Sequence, residues 1–77
     1  MEQILEMSKP IIEATAAKHS ITVEQLLGPR RQQTYVAARR ECAERLRNEL
    51  EMSYPKIGKV MNRDHTSILH LLKKVEA

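Results

Sequence analysis

The stretch that most constrains this chain is 53–77, SYPKIGKVMNRDHTSILHLLKKVEA, because it holds two amphipathic helix patterns with almost no chain between them. Ser53 offers an N-cap oxygen, and Pro55 stands in the first turn, where its missing amide hydrogen costs nothing. Ile57, Val60 and Met61 form one apolar face, and Gly58 lets another backbone come close. Asn62 and Arg63 break that pattern and Asp64 supplies a new cap. Ile68, Leu71, Leu72 and Val75 then follow at helical spacing. Neither stripe can be buried unless the two helices fold onto each other across the turn, which predicts a helix-turn-helix. The second helix opens with Asp64, His65, Thr66 and Ser67, polar side chains of the kind a recognition helix presents to the major groove.

Upstream, Thr22 followed by Gln25 fits a capping box, with Val23, Leu26 and Leu27 as an apolar face and Gly28-Pro29 as the stop. PRRQQT at 29–34 reads as a loop that opens the longest helix, about Gln33–Leu50. Val36, Ala43, Leu46 and Leu50 give that helix a narrow core stripe. Arg39, Arg40, Glu41, Glu44, Arg45, Arg47 and Glu49 occupy its other faces. Most are expected to form exposed i,i+4 or i,i+3 pairs, each contributing ~0.2–0.5 kcal/mol; Arg39, Arg45 and Arg47 are read as solvated. Residues 1–9 are expected to be an irregular or frayed lead-in. Ser8 would cap a helix that has Pro10 in its first turn, runs to about Lys18 or His19, and buries Ile12 and Ala16. One longer helix kinked at Pro10 fits equally, since Ile4 and Leu5 are also apolar. His19 is read as a helix-end residue without a role.

A chain of 77 residues makes one domain, 1–77, whose core must be compact and helical to stand without staples. With no Phe or Trp, aliphatic residues and Met must fill it. The single cysteine, Cys42, has no intrachain partner and is expected at the core or its boundary. Nothing resembles a signal peptide or a membrane span, so the expected location is cytoplasmic. Residues 1–27 carry two basic and four acidic groups, whereas residues 28–77 carry eleven and six. A basic portion that also contains the helix-turn-helix pattern suits a polyanionic partner.

The run PKIGKVMNRDHTSILHLLKKVE resembles the C-terminal DNA-binding domain (domain IV) of the bacterial chromosomal replication initiator DnaA. The family pattern is a proline, Ile-Gly, a turn, Arg-Asp-His-Thr-Thr, then an apolar helix ending in basic residues. Pro55, Ile57-Gly58, Asn62, Arg63-Asp64-His65-Thr66-Ser67, Ile68-Leu69-His70 and Lys73-Lys74 match those elements. ITVEQLLG at 21–28 is similar to the family's short helix and Arg30-Arg31 to its basic loop, so the resemblance covers roughly Ile12 to Glu76. There are departures. Asn62 alone stands where the family usually has two glycines, and it tolerates the left-handed backbone a tighter turn needs. The loop before Ser53 is one residue shorter. Glu41 replaces a frequent glutamine that contacts DNA, and an acid there would repel phosphate.

The resemblance implies an all-α fold of about five helices with a C-terminal helix-turn-helix, Trp-repressor-like in arrangement. It implies sequence-specific binding of double-stranded DNA at an asymmetric, DnaA-box-like site, by a monomer, to regulate replication initiation or transcription. Arg31 would enter the minor groove with Arg30 beside it, and Arg40, Lys56 and Lys74 would hold phosphates. Asp64, His65 and Thr66 would touch bases, Ser67 backbone or base, and Leu69 a sugar or thymine methyl; Arg63 completes the DNA-contacting set. His70 is read as structural, and Asp64 as a cap even where it also reads a base. No cofactor or metal is expected. There is no GxxxxGK[ST] loop for an ATPase, so the chain is expected to be an excised fragment or a small stand-alone protein. Asp64, His65 and Ser67 diverge from one helix turn and cannot form a triad. His65 and His70 are five apart, off the spacing of a helical metal pair. No enzyme is expected. The alternative is a small helical protein–protein interaction module of the replication machinery.

Overall fold

The computed structural model describes residues 2–76, with side chains over 6–72. The described residues form five helices and no strand: α1 (Glu2–Lys18), α2 (Val23–Leu27), α3 (Gln33–Leu50), α4 (Tyr54–Val60) and α5 (His65–Glu76). The fold is all-α, as the sequence predicts. α3 is central, packing against each of the other four helices, while α4 and α5 pack on each other.

Why α3 can serve so many partners follows from its side chains. Ala38, Cys42, Ala43 and Leu46 are fully buried along it, and three of these are small enough to let neighbouring backbones approach. Ile11, Ile12 and Ala16 of α1, Leu26 of α2, Met52, Ile57 and Met61 around α4, and Ile68 of α5 complete one core. Val36 and Leu50, expected in the stripe, are half-buried, and Leu71 and Leu72 pack on the core's edge. The side chains of Ile4, Leu5, Lys73, Lys74 and Val75 lie outside the described residues.

One open question about a helix start is decided and one expectation is corrected. α1 runs through Pro10 as the longer helix, and Ser8 is not its cap but a fully buried residue within it. Pro10 and Glu6 are both exposed, so the carbonyl that loses its amide partner to the proline sits on the solvent side. Ile11 and Ile12 on the opposite side hold the helix onto the core. Ser53 does occupy the N-cap position of α4, but its side chain makes no cap hydrogen bond; its carbonyl accepts from the Ile57 amide at 2.9 Å. The capping box of α2 is present as read, Gln25 N–H donating to Thr22 Oγ1 and Thr22 N–H to Gln25 Oε1. Gly28 ends α2 in an extended conformation, φ −78°, as a residue before proline prefers, and not in a left-handed one.

The α4–α5 turn shows why its residues are what they are. Asn62 takes φ 57°, the left-handed value that the sequence assigned to it. The Arg63 amide then reaches back to the Gly58 carbonyl at 2.7 Å. A Cβ on Gly58 would stand 2.5 Å from the Arg63 carbonyl oxygen and 3.3 Å from the His65 amide nitrogen. Backbone on both sides of that contact cannot swing away. Gly58→Ala is therefore expected to lower unfolding free energy by about 1–3 kcal/mol in urea titrations despite alanine's better helix propensity.

Burial pushes the Cys42 thiol up to about 12. An acid whose folded pKa is raised stabilises the fold while both states are protonated. That contribution falls away as pH rises past the ordinary thiol value near 9 toward 12, where the unfolded thiol ionises and the native one does not. Urea midpoints should drop between pH 8 and pH 10.5 more for the wild type than for Cys42→Ala.

Candidate nucleic-acid interface

The turn delivers α5 with its first residues outward. Asp64, His65, Thr66 and Ser67 are all exposed, while Ile68 directly after them is fully buried. That switch is the helical period at work: one face of α5 anchors it on α3 and α4, and the opening turn is left free. The Asp64 carbonyl accepts from the Ile68 amide at 3.2 Å, which starts the helix at His65. Leu69 is half-buried and His70 exposed.

The other basic element is the loop between α2 and α3, where Arg30 and Arg31 are exposed. Arg31 meets α5 across a cleft of about 520 Å³, lined by Arg31, Val36, Arg39, Arg63, Ser67, His70 and Leu71. Loop and recognition helix thus face one concave, positively charged surface. Arg40 and Lys56 do not line it. Lys56 is exposed; Arg40 is half-buried, with its Nε buried and unpartnered among the described residues. Lys74 lies outside the described side chains.

Arg39 overturns the reading of it as a solvated charge. It is 3 % exposed, and its guanidinium closes the end of α2, Nε donating to the Leu26 carbonyl at 2.7 Å and Nη2 to those of Gln25 and Gly28 at 3.3 and 2.5 Å. Burial, and then the nearby charge of Arg63, lower its pKa. The signal was present in the spacing: Val36 to Ala43 is a full heptad step, and position 39 lies on the same face between them. Arg63 is half-buried and donates through Nη2 to the same Gly28 carbonyl.

The remaining charges of α3 divide by partner. Arg45 pairs with Glu49 at 2.9 Å, the expected i,i+4 geometry. Arg47 is exposed yet held, donating to the Met52 carbonyl at 3.0 Å and lying 4.4 Å from the Tyr54 ring centroid. Glu41 turns to the end of α1, 3.1 Å from Lys18 Nζ and 3.2 Å from His19 Nε2, so His19 does have a structural part. The hydrogen bond from Lys18, opposed by partial burial and assisted by His19, holds the Glu41 carboxyl below the ordinary carboxylate value.

Five helices with an exposed polar recognition turn and a basic loop across one cleft define the helix-turn-helix class of DNA-binding domains. Residues 8–75 match the family described as the bacterial dnaA protein helix-turn-helix, and the chain belongs to that family, which is a DNA-binding rather than a catalytic domain of DnaA. It is 39 % identical over 66 residues to the chromosomal replication initiator protein DnaA of Clavibacter sepedonicus, covering 84 % of this chain and 14 % of that protein. The corresponding protein of Mycobacteroides abscessus is 37 % identical over 65 residues, covering 84 % and 13 %. DnaA 1 of Chlamydia muridarum is 32 % identical over 65 residues, covering 84 % and 14 %. The chain therefore spans about one seventh of the length of these relatives. No solved structure matches it.

A carboxylate with a depressed folded pKa stabilises the fold above its unfolded value, and the contribution is lost as pH falls through the folded pKa. For Glu41 that window lies below about 4.5. Between pH 5 and pH 3 the wild type should lose more stability than Glu41→Gln, by no more than ~1 kcal/mol since the pair is partly solvated.

Proposed function

We propose that the chain binds double-stranded DNA sequence-specifically, as a monomer on an asymmetric site of the DnaA-box kind. The carrying observation is the cleft that brings exposed Arg31 of the basic loop opposite the first turn of α5. His65 and Thr66 read base edges in the major groove, Asp64 accepts from a cytosine amino group, and Ser67 bonds base or backbone. Arg31 enters the adjacent minor groove with Arg30 beside it. Leu69 packs on a sugar or thymine methyl, and Arg40, Lys56 and Lys74 hold phosphates. The backbone amides at the start of α5 add a site suited to phosphate.

Membership of the DnaA helix-turn-helix family supports this assignment, and a cytoplasmic, nucleoid-associated location would fit a DNA partner. No helix among the described residues is long and apolar enough to cross a membrane. The biological role that fits is regulation of replication initiation or of transcription at initiator sites.

The test is selection from a random duplex library at about 150 mM salt, fixed because phosphate contacts make affinity salt-dependent. An enriched asymmetric motif is expected, and His65→Ala should lose on the order of 1–3 kcal/mol on that motif with little change on scrambled DNA. Equal, salt-sensitive binding to every sequence would overturn the reading and leave the helical protein-interaction module in its place.

A further inference from the structure

We propose that Arg39 and Arg63 are positioning residues for DNA recognition: by sharing the Gly28 carbonyl they fix the basic loop relative to α5, and so set which minor-groove bases are read together with which major-groove bases. The inference rests on the DNA-binding reading above.

Two guanidiniums converge on one oxygen. Arg39 Nη2 donates to the Gly28 carbonyl at 2.5 Å, and Arg63 Nη2 donates to it as well, taking both of its lone pairs. Among the described residues neither arginine forms an ion pair. Closing the end of α2 needs only Arg39, which already reaches three carbonyls there. Arg63 adds like-charge repulsion and leaves its Nε buried without a partner among the described residues. What it adds in return is a link across 35 residues of sequence, from the root of the basic loop to the turn that immediately precedes α5.

That link is well placed to govern Arg31. Gly28 is three residues before it, and among the described residues no hydrogen bond reaches Pro29, Arg30 or Arg31 themselves. The loop is therefore anchored at Gly28, and Arg31 faces Ser67 and His70 across the shared cleft. The choice of acceptor fits a surface that meets phosphates. A carboxylate would hold the arginines more strongly but would cancel their charge; a carbonyl holds them and leaves the charge for the polyanion.

The experiment repeats the random-duplex selection on the full chain with Arg63→Gln, Arg39→Lys, Arg31→Ala and the Arg31→Ala/Arg63→Gln double variant. Thermal melts and amide hydrogen exchange on the free proteins accompany it. Arg63→Gln should stay folded, speed exchange at the Gly28 amide that roots the loop, keep the major-groove half of the motif and lose preference at its minor-groove end. The double variant should select the same motif as Arg31→Ala alone, because Arg63 acts through Arg31. Arg39→Lys, whose point charge cannot span three carbonyls, should shift the motif the same way with a larger fall in melting temperature. A uniform loss of affinity with a salt slope reduced by about one would make Arg63 a phosphate contact and overturn the proposal. So would an unchanged motif with unchanged loop exchange. A wild type that enriches no motif overturns the DNA reading itself, and faster loop exchange in Arg63→Gln would then mark a purely structural link.

Discussion

The structure depends on how closely other helices can approach α3. A chain with no Phe or Trp cannot fill wide gaps between helices, so its elements must come near enough for aliphatic side chains to meet. Ala38, Cys42 and Ala43 supply that nearness on the one helix that touches all the others. With α3 so enclosed, a polar group on its inner face has to find backbone acceptors, and Arg39 does so at the end of α2. The position of the basic loop is thus a consequence of packing around the central helix as much as of the loop's own sequence.

The same economy governs the side that carries the start of α5. α4 is only seven residues long, buries Ile57, and holds α5 closely through the Gly58 contact. Because Ile68 is locked in the core, the residues before it have no freedom to turn inward, and the opening turn of α5 is presented whole. Arg47 braces the corner before α4 from the other end of α3, bonding the Met52 carbonyl and lying over Tyr54. An exposed cation–π contact of this sort contributes about 0.5–1 kcal/mol, enough to bias a corner though not to define it.

Much of this was legible in the residues because it is local. The capping box at Thr22 and Gln25, the extent of α3, the left-handed Asn62 and the close approach at Gly58 each follow from a few consecutive side chains. Four features were not. Whether α1 survives Pro10 depends on which side of the helix the core takes. Whether Ser53 caps with its side chain or only with its carbonyl depends on a rotamer. Glu41 finds Lys18 and His19 more than twenty residues away, and Arg39 and Arg63 find carbonyls 11 to 35 residues away. Charge run and composition place such residues on the surface by default; the heptad step marks only the burial of Arg39, and the partners of all three are set by how α1, α2 and the α4–α5 turn come together around α3. The exposed polar turn that opens α5 was legible as a pattern; the cleft it shares with the basic loop was not.

Three corners of the chain are turned by residues other than glycine in the left-handed region: Ser20 at φ 58°, Glu51 at φ 52° and Asn62 at φ 57°. The amide that follows each reaches back to the helix just ended, Ile21 to Ala16, Met52 to Leu46 and Arg63 to Gly58. Such a backbone costs roughly 1–2 kcal/mol for an ordinary side chain, and less for asparagine, so two corners hold stored strain that a local opening would release. Helix ends at Ser20 and Glu51 are accordingly the sprung joints of the molecule and the Asn62 turn the relaxed one.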